Sequence, residues 1–407
     1  MVGPGRAVLF VATIFAAASP TGRAASWHVT IRNTGAVPAD TPIVVELEQA
    51  IPQGGYALRA LEGNINGGRA QVFVDAGKTY LAVLVRPLAA HGVSRFALEP
   101  GEISLSSNTI RASGKDLELL AGGRLLTVYR GGEMTKPYYY PLIGPTGAAY
   151  TRAYPMVKDI ASEAHDHPHQ RSFWFTHGNV NGVDFWASDP LNGSKANYGS
   201  IRETSRQTLE GLVIGLVRTT DEWLDHRSNL VLQDERVVRF YNTATVRVID
   251  FDIRLKATSG PVTFGDTKEG MFGLRVASSM DVSRKKGGKI TNAEGLHDEA
   301  AWGKPSSWVD YTGPVEGKTV GIAILNHPES FRYPTTWHVR TYGLFAANPF
   351  GWHDFGLQKS GSYTIPAGGS IAFRYRVVLH EGETKSAHIA EVFRAYVEPP
   401  TVELKLE

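Results

Sequence analysis

The chain has no cysteine in 407 residues. Disulfides, thiolate metal sites and cysteine nucleophiles are therefore excluded, and stability has to come from packing. An excess of charge is also missing: 42 Lys and Arg against 40 Asp and Glu leave a formal net charge of +2. That balance gives no electrostatic case for a nucleic-acid or membrane partner. Past the first residues, no apolar run approaches the roughly 20 residues that a spanning helix needs. The one early run, Ala7 to Ala18, follows a lone Arg6 and ends in Ser19-Pro20 and Gly22-Arg23-Ala24. A short apolar core behind one cation, closed by small residues, predicts a secretory signal peptide over 1–25, cleaved after Ala24 or Ala25. The mature protein is then expected to be periplasmic or extracellular. Without Arg6 and Arg23 its basic residues fall to 40 and equal its 40 acids.

What is abundant is strand character. "WHVTIRN", "TYLAVLVRPL", "GLVIGLVRTTDEWL", "LVLQDERVVRFYN", "ATVRVIDFDIRLKAT" and "SIAFRYRVVLH" alternate or run apolar, rich in β-branched and aromatic residues. The 43 Gly and 22 Pro supply turns between them. One helix is expected, in "SAHIAEVFRAYVE", where Ile389, Val392, Phe393 and Tyr396 fall at helical spacing. The pattern predicts an all-β protein. Length suggests two domains, and a polar, Gly/Ser-rich stretch over 99–116 marks the boundary. We expect a small N-terminal β-sandwich over 26–122 and a large antiparallel β-supersandwich over 123–407 that carries the site.

Histidine is concentrated. Of 13 in the chain, His165, His167, His169 and His177 fall within "HDHPHQRSFWFTH". On an extended backbone His165, His167, His169 and Arg171 would share one face, and Asp166, Pro168 and Gln170 the other. Three readings compete: a hydrogen-bonded polar seam, a metal site, or an acid/base site. Imidazoles at alternate strand positions suit Zn, Fe or Cu, with His165, His167 and His169 as ligands and a carboxylate beside them. Imidazole also titrates near neutrality and serves as acid or base. Arg171 in the same row favours the acid/base reading, because a cation there opposes a dication.

Two further stretches are expected to converge on this cluster. "DTKEGMFGLRVA" carries Glu269 beside Lys268, and Arg275. "NHPESFRYPTTWHVRTYG" carries His327, Trp337, His338 and Arg340 between prolines. Trp186, Trp302, Trp308 and Trp337 lie in or near these polar segments. Flat apolar ring faces beside Arg, His and Glu suit a pyranose, whereas the same rings could simply fill a β core.

The segments "KPYYYPLIGPTG", "DHPHQRSFWFTHGNVNGVDFW", "DTKEGMFGLRVA", "WVDYTG" and "NHPESFRYPTTWHVRTYGLFAANPFG", in that order over about residues 130–355, resemble a bacterial secreted family labelled PmoA-like, or methane oxygenase PmoA. Gln170 and Ser172 stand where that family has His and Gly. The resemblance implies a galactose-mutarotase-like β-supersandwich of the kind found in polysaccharide degradation. It does not bring methane chemistry with it, since those subunits are built from membrane spans.

These observations lead us to expect a carbohydrate-active enzyme using His/Glu acid–base chemistry on a glycoside or a uronic or oxidised sugar. Hydrolysis or β-elimination leads, with epimerisation next. His167, His169, Glu269 and His338 are the expected catalytic residues. Arg171, His177, Trp186, Arg275, Trp308, His327, Trp337 and Arg340 are the expected substrate contacts. A saccharide is the expected partner, with no nucleic acid, no membrane and no cofactor, and oligomeric state has no signature in the sequence. The alternatives are a metal-dependent oxygenase or hydrolase built on His165, His167 and His169 with Zn, Fe or Cu, and a carbohydrate-binding protein without turnover.

Overall fold

Alternation along the strands sets the architecture. In the computed structural model the described residues are 26–407, apart from 39, 50, 62–66, 86, 102–106, 133–134 and 161. The expected signal peptide, 1–25, lies outside them. Nearly all regular structure is antiparallel β, as expected from the sequence. Among the described residues no helix is long and apolar enough to cross a membrane.

Two eight-stranded sheets make the body. One has long strands and runs, in spatial order, Ser200–Leu209, Ile214–Leu224, Leu230–Tyr241, Arg247–Lys256, Ser370–Glu381, Lys318–Asn326, Trp308–Val315 and Lys289–Asn292. The other, here called the site sheet, runs Trp337–Val339, Leu344–Ala347, Gly270–Arg275, Phe173–His177, Tyr138–Tyr139, Arg124–Arg130, Asp116–Ala121 and Thr109–Ser113. Their inner faces meet in one core. In Arg247–Lys256, Phe251, Ile253 and Leu255 point inward, while Arg254 between them is exposed. Phe251 meets Phe173 at 5.7 Å and Phe272 at 5.0 Å between ring centroids, joining the sheets. Each such ring buried contributes about 1.5–3 kcal/mol.

A third, seven-stranded sheet contains the N-terminal strands, from Trp27–Arg32 to Val93–Pro100, and is completed at its edge by the last strand, Thr401–Leu406. Its own core holds Val29, Ile31, Val72, Val83 and Phe96. The N-terminal unit is thus closed by the far end of the chain. Residues 109–121, read from sequence as part of that unit, instead form two strands of the site sheet, because Leu117 and Leu119 face its core. The expected helix forms at Ile389–Val397 and buries Ile389, Val392 and Tyr396 against the outer face of the long-strand sheet.

Candidate functional site

A cleft of about 330 Å³ opens on the outer face of the site sheet, lined by His167, His169, Trp186, Glu269, His338 and Arg340, with Gln170, Ala187, Lys268 and Tyr342 completing it. The period of two decides who is present. In Phe173–His177, Phe173 and Phe175 face the core, and Trp174 points outward beneath the cleft. Gly273 lies opposite Trp174, and a Cβ there would come within 2.8 Å of the indole, so glycine makes room for the ring. In Trp337–Val339, Trp337 and Val339 are in the core and His338 faces the cleft.

The histidine segment is not an extended row. His167 and Ser172 have φ of 45° and 57°, and the Gln170 and Arg171 amides fold back to the carbonyls of His167 and His169. The chain turns here and enters the strand only at Phe173. Nδ1 of His167 consequently meets Oδ2 of Asp166 at 2.9 Å. The other oxygen of Asp166 accepts from Arg152 at 2.5 Å and from Arg275 at 3.2 Å. Partial burial works against the Asp166 anion. The His167 hydrogen bond and the two guanidinium groups outweigh it and hold the carboxyl well below its ordinary range. The His167 ring stacks on Tyr342, with centroids 5.5 Å apart and planes 9° from parallel.

His169 and His338 are fixed in opposite tautomers. The Asn192 amide donates to the Ala187 carbonyl at 2.8 Å and to Nδ1 of His169 at 3.1 Å, so neutral His169 carries its proton on Nε2. His338 donates from Nδ1 to the Lys268 carbonyl at 2.8 Å, which leaves Nε2 as an acceptor. Burial holds both neutral, His169 down to about 2 with help from the Lys136 charge, and His338 down to about 3. Asn348 donates to the same Lys268 carbonyl at 2.8 Å and to that of Thr267 at 3.0 Å, anchoring the loop that presents Glu269.

Glu269 is half-buried, and burial raises its carboxyl above the ordinary range against the pull of the Lys268 ammonium at 3.5 Å. Arg340 lies 5.4 Å from the Trp302 ring and 5.7 Å from that of Tyr342. Among the described residues it has no carboxylate partner. The Tyr311 hydroxyl holds the Arg340 and Thr341 carbonyls at 3.2 Å each.

Several expected contacts fall elsewhere. His165 stacks on Tyr154 at 4.5 Å, so the trio with His167 and His169 does not form, and no group of three potential ligands assembles among the described residues. Arg171 is buried in a bidentate pair with Asp189, at 2.5 and 3.0 Å. Arg275 is buried behind the cleft, occupied by Gln170 and Asp166 and lying 4.9 Å from the Tyr342 ring. His177 shares the inward face of Phe173 and Phe175. It packs between Phe264 and Phe350 and donates to the Gly265 carbonyl at 2.8 Å. Trp308 packs against the C-terminal helix. Trp337 is a core residue bonded to the Ser306 carbonyl at 2.9 Å. His327 contacts Tyr396 beside a different cavity. Sequence reasoning missed Tyr342, Gln170 and Asn192, and read Asp166 as pointing away.

A family model described as a family of unknown function, DUF6807, matches residues 116–394. No curated protein matches the chain significantly. Among solved structures, a glycosyl hydrolase family 38 protein from Enterococcus faecalis is 11% identical with a TM-score of 0.36, over 94% of this chain and 48% of its own. The family 36 α-galactosidase AgaA from Geobacillus stearothermophilus is 11% identical with a TM-score of 0.35, over 68% and 40%. A galactose mutarotase-like protein from Lactobacillus casei is 10% identical with a TM-score of 0.30, over 67% of this chain and all of its own. The chain therefore spans less than half the length of either hydrolase.

Proposed function

The chain belongs to the DUF6807 family, whose function is unknown, so its activity has to be argued from the cleft, and we propose that the cleft cleaves a uronic-acid-containing saccharide by β-elimination. The observation that carries this reading is the ring of His167, aimed by Asp166 at 2.9 Å, in one cleft with the desolvated carboxyl of Glu269. Hydrolysis by the usual pair of carboxylates needs two acids flanking the bond. Glu269 is the one carboxylate among the described lining residues, and both oxygens of Asp166 are already engaged.

β-Elimination needs one base, one acid and a cationic clamp. With Nδ1 committed to Asp166, Nε2 of His167 takes the proton α to the uronate carboxylate. The C–H electron pair forms the new C=C bond, the C–O bond to the leaving sugar breaks, and Glu269 supplies the proton to that oxygen. Arg340 and Lys268 hold the uronate carboxylate and stabilise the charge that develops on it. Nε2–H of His169 and the Nε2 lone pair of His338 offer a donor and an acceptor to sugar hydroxyls, and Tyr342 offers a flat ring face. The leader-like sequence of residues 1–25 supports an activity exerted outside the cytoplasm.

The test is incubation with a panel of polyuronates, followed by ultraviolet absorbance and mass spectrometry. An unsaturated product with wild type, lost in His167→Ala and in Glu269→Gln, is the expected result. Products that have gained water would replace elimination with hydrolysis. Products of unchanged mass and altered stereochemistry would replace it with epimerisation.

A further inference from the structure

A second cavity of interest lies elsewhere in the molecule. About 390 Å³ lies between the N-terminal sheet and the outer face of the long-strand sheet, on the opposite side of the two-sheet core from the cleft. That volume falls in the usual range for small-ligand sites, about 300–1,000 Å³. Its walls come from distant parts of the chain. Val44, Phe73 and Tyr80 come from the N-terminal sheet, Arg239, Arg374 and Arg376 from the long strands, and Tyr396 from the helix.

Its charges alternate. Arg239 bonds Asp252 at 2.6 Å and lies 3.7 Å from Asp75, and Arg374 reaches Asp252 at 3.6 Å and pairs with Glu329. Arg376 grips Asp250 with two bonds, at 2.7 and 2.8 Å, and the Tyr241 hydroxyl donates to the same carboxylate at 2.7 Å. The network is not closed. Arg376 lies over the Tyr396 ring at 4.3 Å, but Nη1 of Arg376 and Oη of Tyr396, both buried on residues lining the cavity, meet no hydrogen-bond partner among the described residues. Most buried donors in native structures are satisfied. At the mouth Arg374 and Glu329 are 39% and 68% exposed.

We propose that this cavity is a second, non-catalytic site for a neutral saccharide. The lining carries four carboxylates, Asp75, Asp250, Asp252 and Glu329, against three guanidinium groups, so an anionic ligand is repelled. A cation would have to compete with arginines already paired. A hydroxyl both donates and accepts, and so fits between a guanidinium and a carboxylate side by side. Phe73, Tyr80 and Val44 supply the apolar wall that the C–H face of a pyranose needs. The N-terminal sheet thereby acquires a role that rests on the cleft reading: it forms one wall of a site that holds a neutral stretch of a mixed polymer while the cleft works on a uronate-bearing one.

Titration calorimetry with neutral gluco-, xylo-, manno- and galacto-oligosaccharides tests this independently of the cleft, using Glu269→Gln as the background. At least one of these sugars is expected to bind. Its Kd should rise about tenfold or more in Tyr80→Ala/Arg374→Ala. Val44→Trp, which fills the cavity from its apolar N-terminal wall and leaves the ion network intact, should abolish binding; thermal unfolding confirms that each variant folds. No binding by any neutral sugar, unchanged affinity in both variants, or preference of this cavity for uronate oligosaccharides would overturn the proposal. Failure of the cleft reading would show separately, as intact binding without turnover in wild type.

Discussion

Nδ1 of His167 lies 2.9 Å from Oδ2 of Asp166, the same carboxylate that Arg152 and Arg275 hold by its other oxygen. One anion therefore aims the ring proposed as the base and balances two buried guanidinium groups. Asp166→Asn keeps the shape and removes the charge. We expect kcat to fall by about 10²–10⁴-fold with little change in KM, as for loss of an oriented base. Stability should fall by about 1–3 kcal/mol, less than for a fully buried pair because Asp166 is 41% exposed. Steady-state kinetics and urea unfolding check the two parts. Unchanged kcat would remove the orienting role.

Glu269 is poised by two opposed effects, with burial raising its carboxyl and the Lys268 ammonium lowering it. A general acid works only while protonated, so activity should decline as pH rises through that raised value. Lys268→Met removes the lowering influence and should shift this alkaline limb of kcat/KM to higher pH. Glu269→Gln should eliminate the limb along with most of the activity, about 10²–10⁴-fold. Its stability should stay within roughly 0.5 kcal/mol of wild type, since the ion pair with Lys268 is half-exposed and 3.5 Å long. An alkaline limb that Lys268→Met leaves in place would assign it to another group.

The fold was legible because strands of the long-strand sheet are apolar and β-branched over as many as twelve residues and alternate over part of that length, and because Ile389, Val392 and Tyr396 keep helical spacing. The pairing of Trp27–Arg32 with Thr401–Leu406 was not, since nothing local in either strand names its partner. Within the site, His167, His169, Glu269, His338, Arg340 and Trp186 do line one cleft. Trp337 and His338 were read together, yet adjacent residues on a strand face opposite ways, and the same rule sends His177 inward with Phe175. Asp166 was misplaced because an extended backbone was assumed where His167 is left-handed. Asn192 and Tyr342 are brought in by tertiary packing, and no spacing in the sequence announces that.

His177 is an internal acid sensor of stability. It is fully buried, and burial holds its pKa down to about 4, below the roughly 6.5 of an unfolded chain. The folded form therefore binds fewer protons than the unfolded one between these values. The stability contribution is complete above about pH 6.5 and is lost as pH falls toward 4. By pH 5 the loss is about 2 kcal/mol. His177→Gln can still donate to the Gly265 carbonyl and has nothing to titrate. Its unfolding free energy should drop about 2 kcal/mol less than that of wild type between pH 7 and pH 5. Parallel curves would show that His177 is not neutral in the folded protein.

The tautomer of His169 rests on a single amide. Asn192 donates to Nδ1 of His169 at 3.1 Å, and its orientation is fixed by its other bond, to the Ala187 carbonyl at 2.8 Å. Asn192→Asp replaces that donor with an acceptor of nearly the same shape and gives up the bond to the Ala187 carbonyl. Nδ1 then has to carry the proton, and Nε2 changes from donor to acceptor. The cleft would present two acceptors, from His169 and His338, where it now presents a donor and an acceptor. On the proposed function, a sugar hydroxyl facing His169 loses its donor, and lone pairs meet instead. Since this contact holds ground and transition states alike, KM should rise by about ten- to a hundredfold while kcat changes only a few-fold. Ring ¹⁵N shifts of His169 report the tautomer directly. A rise in KM without a change of tautomer would make Asn192 a packing residue. A change of tautomer with KM unmoved would take His169 out of substrate binding.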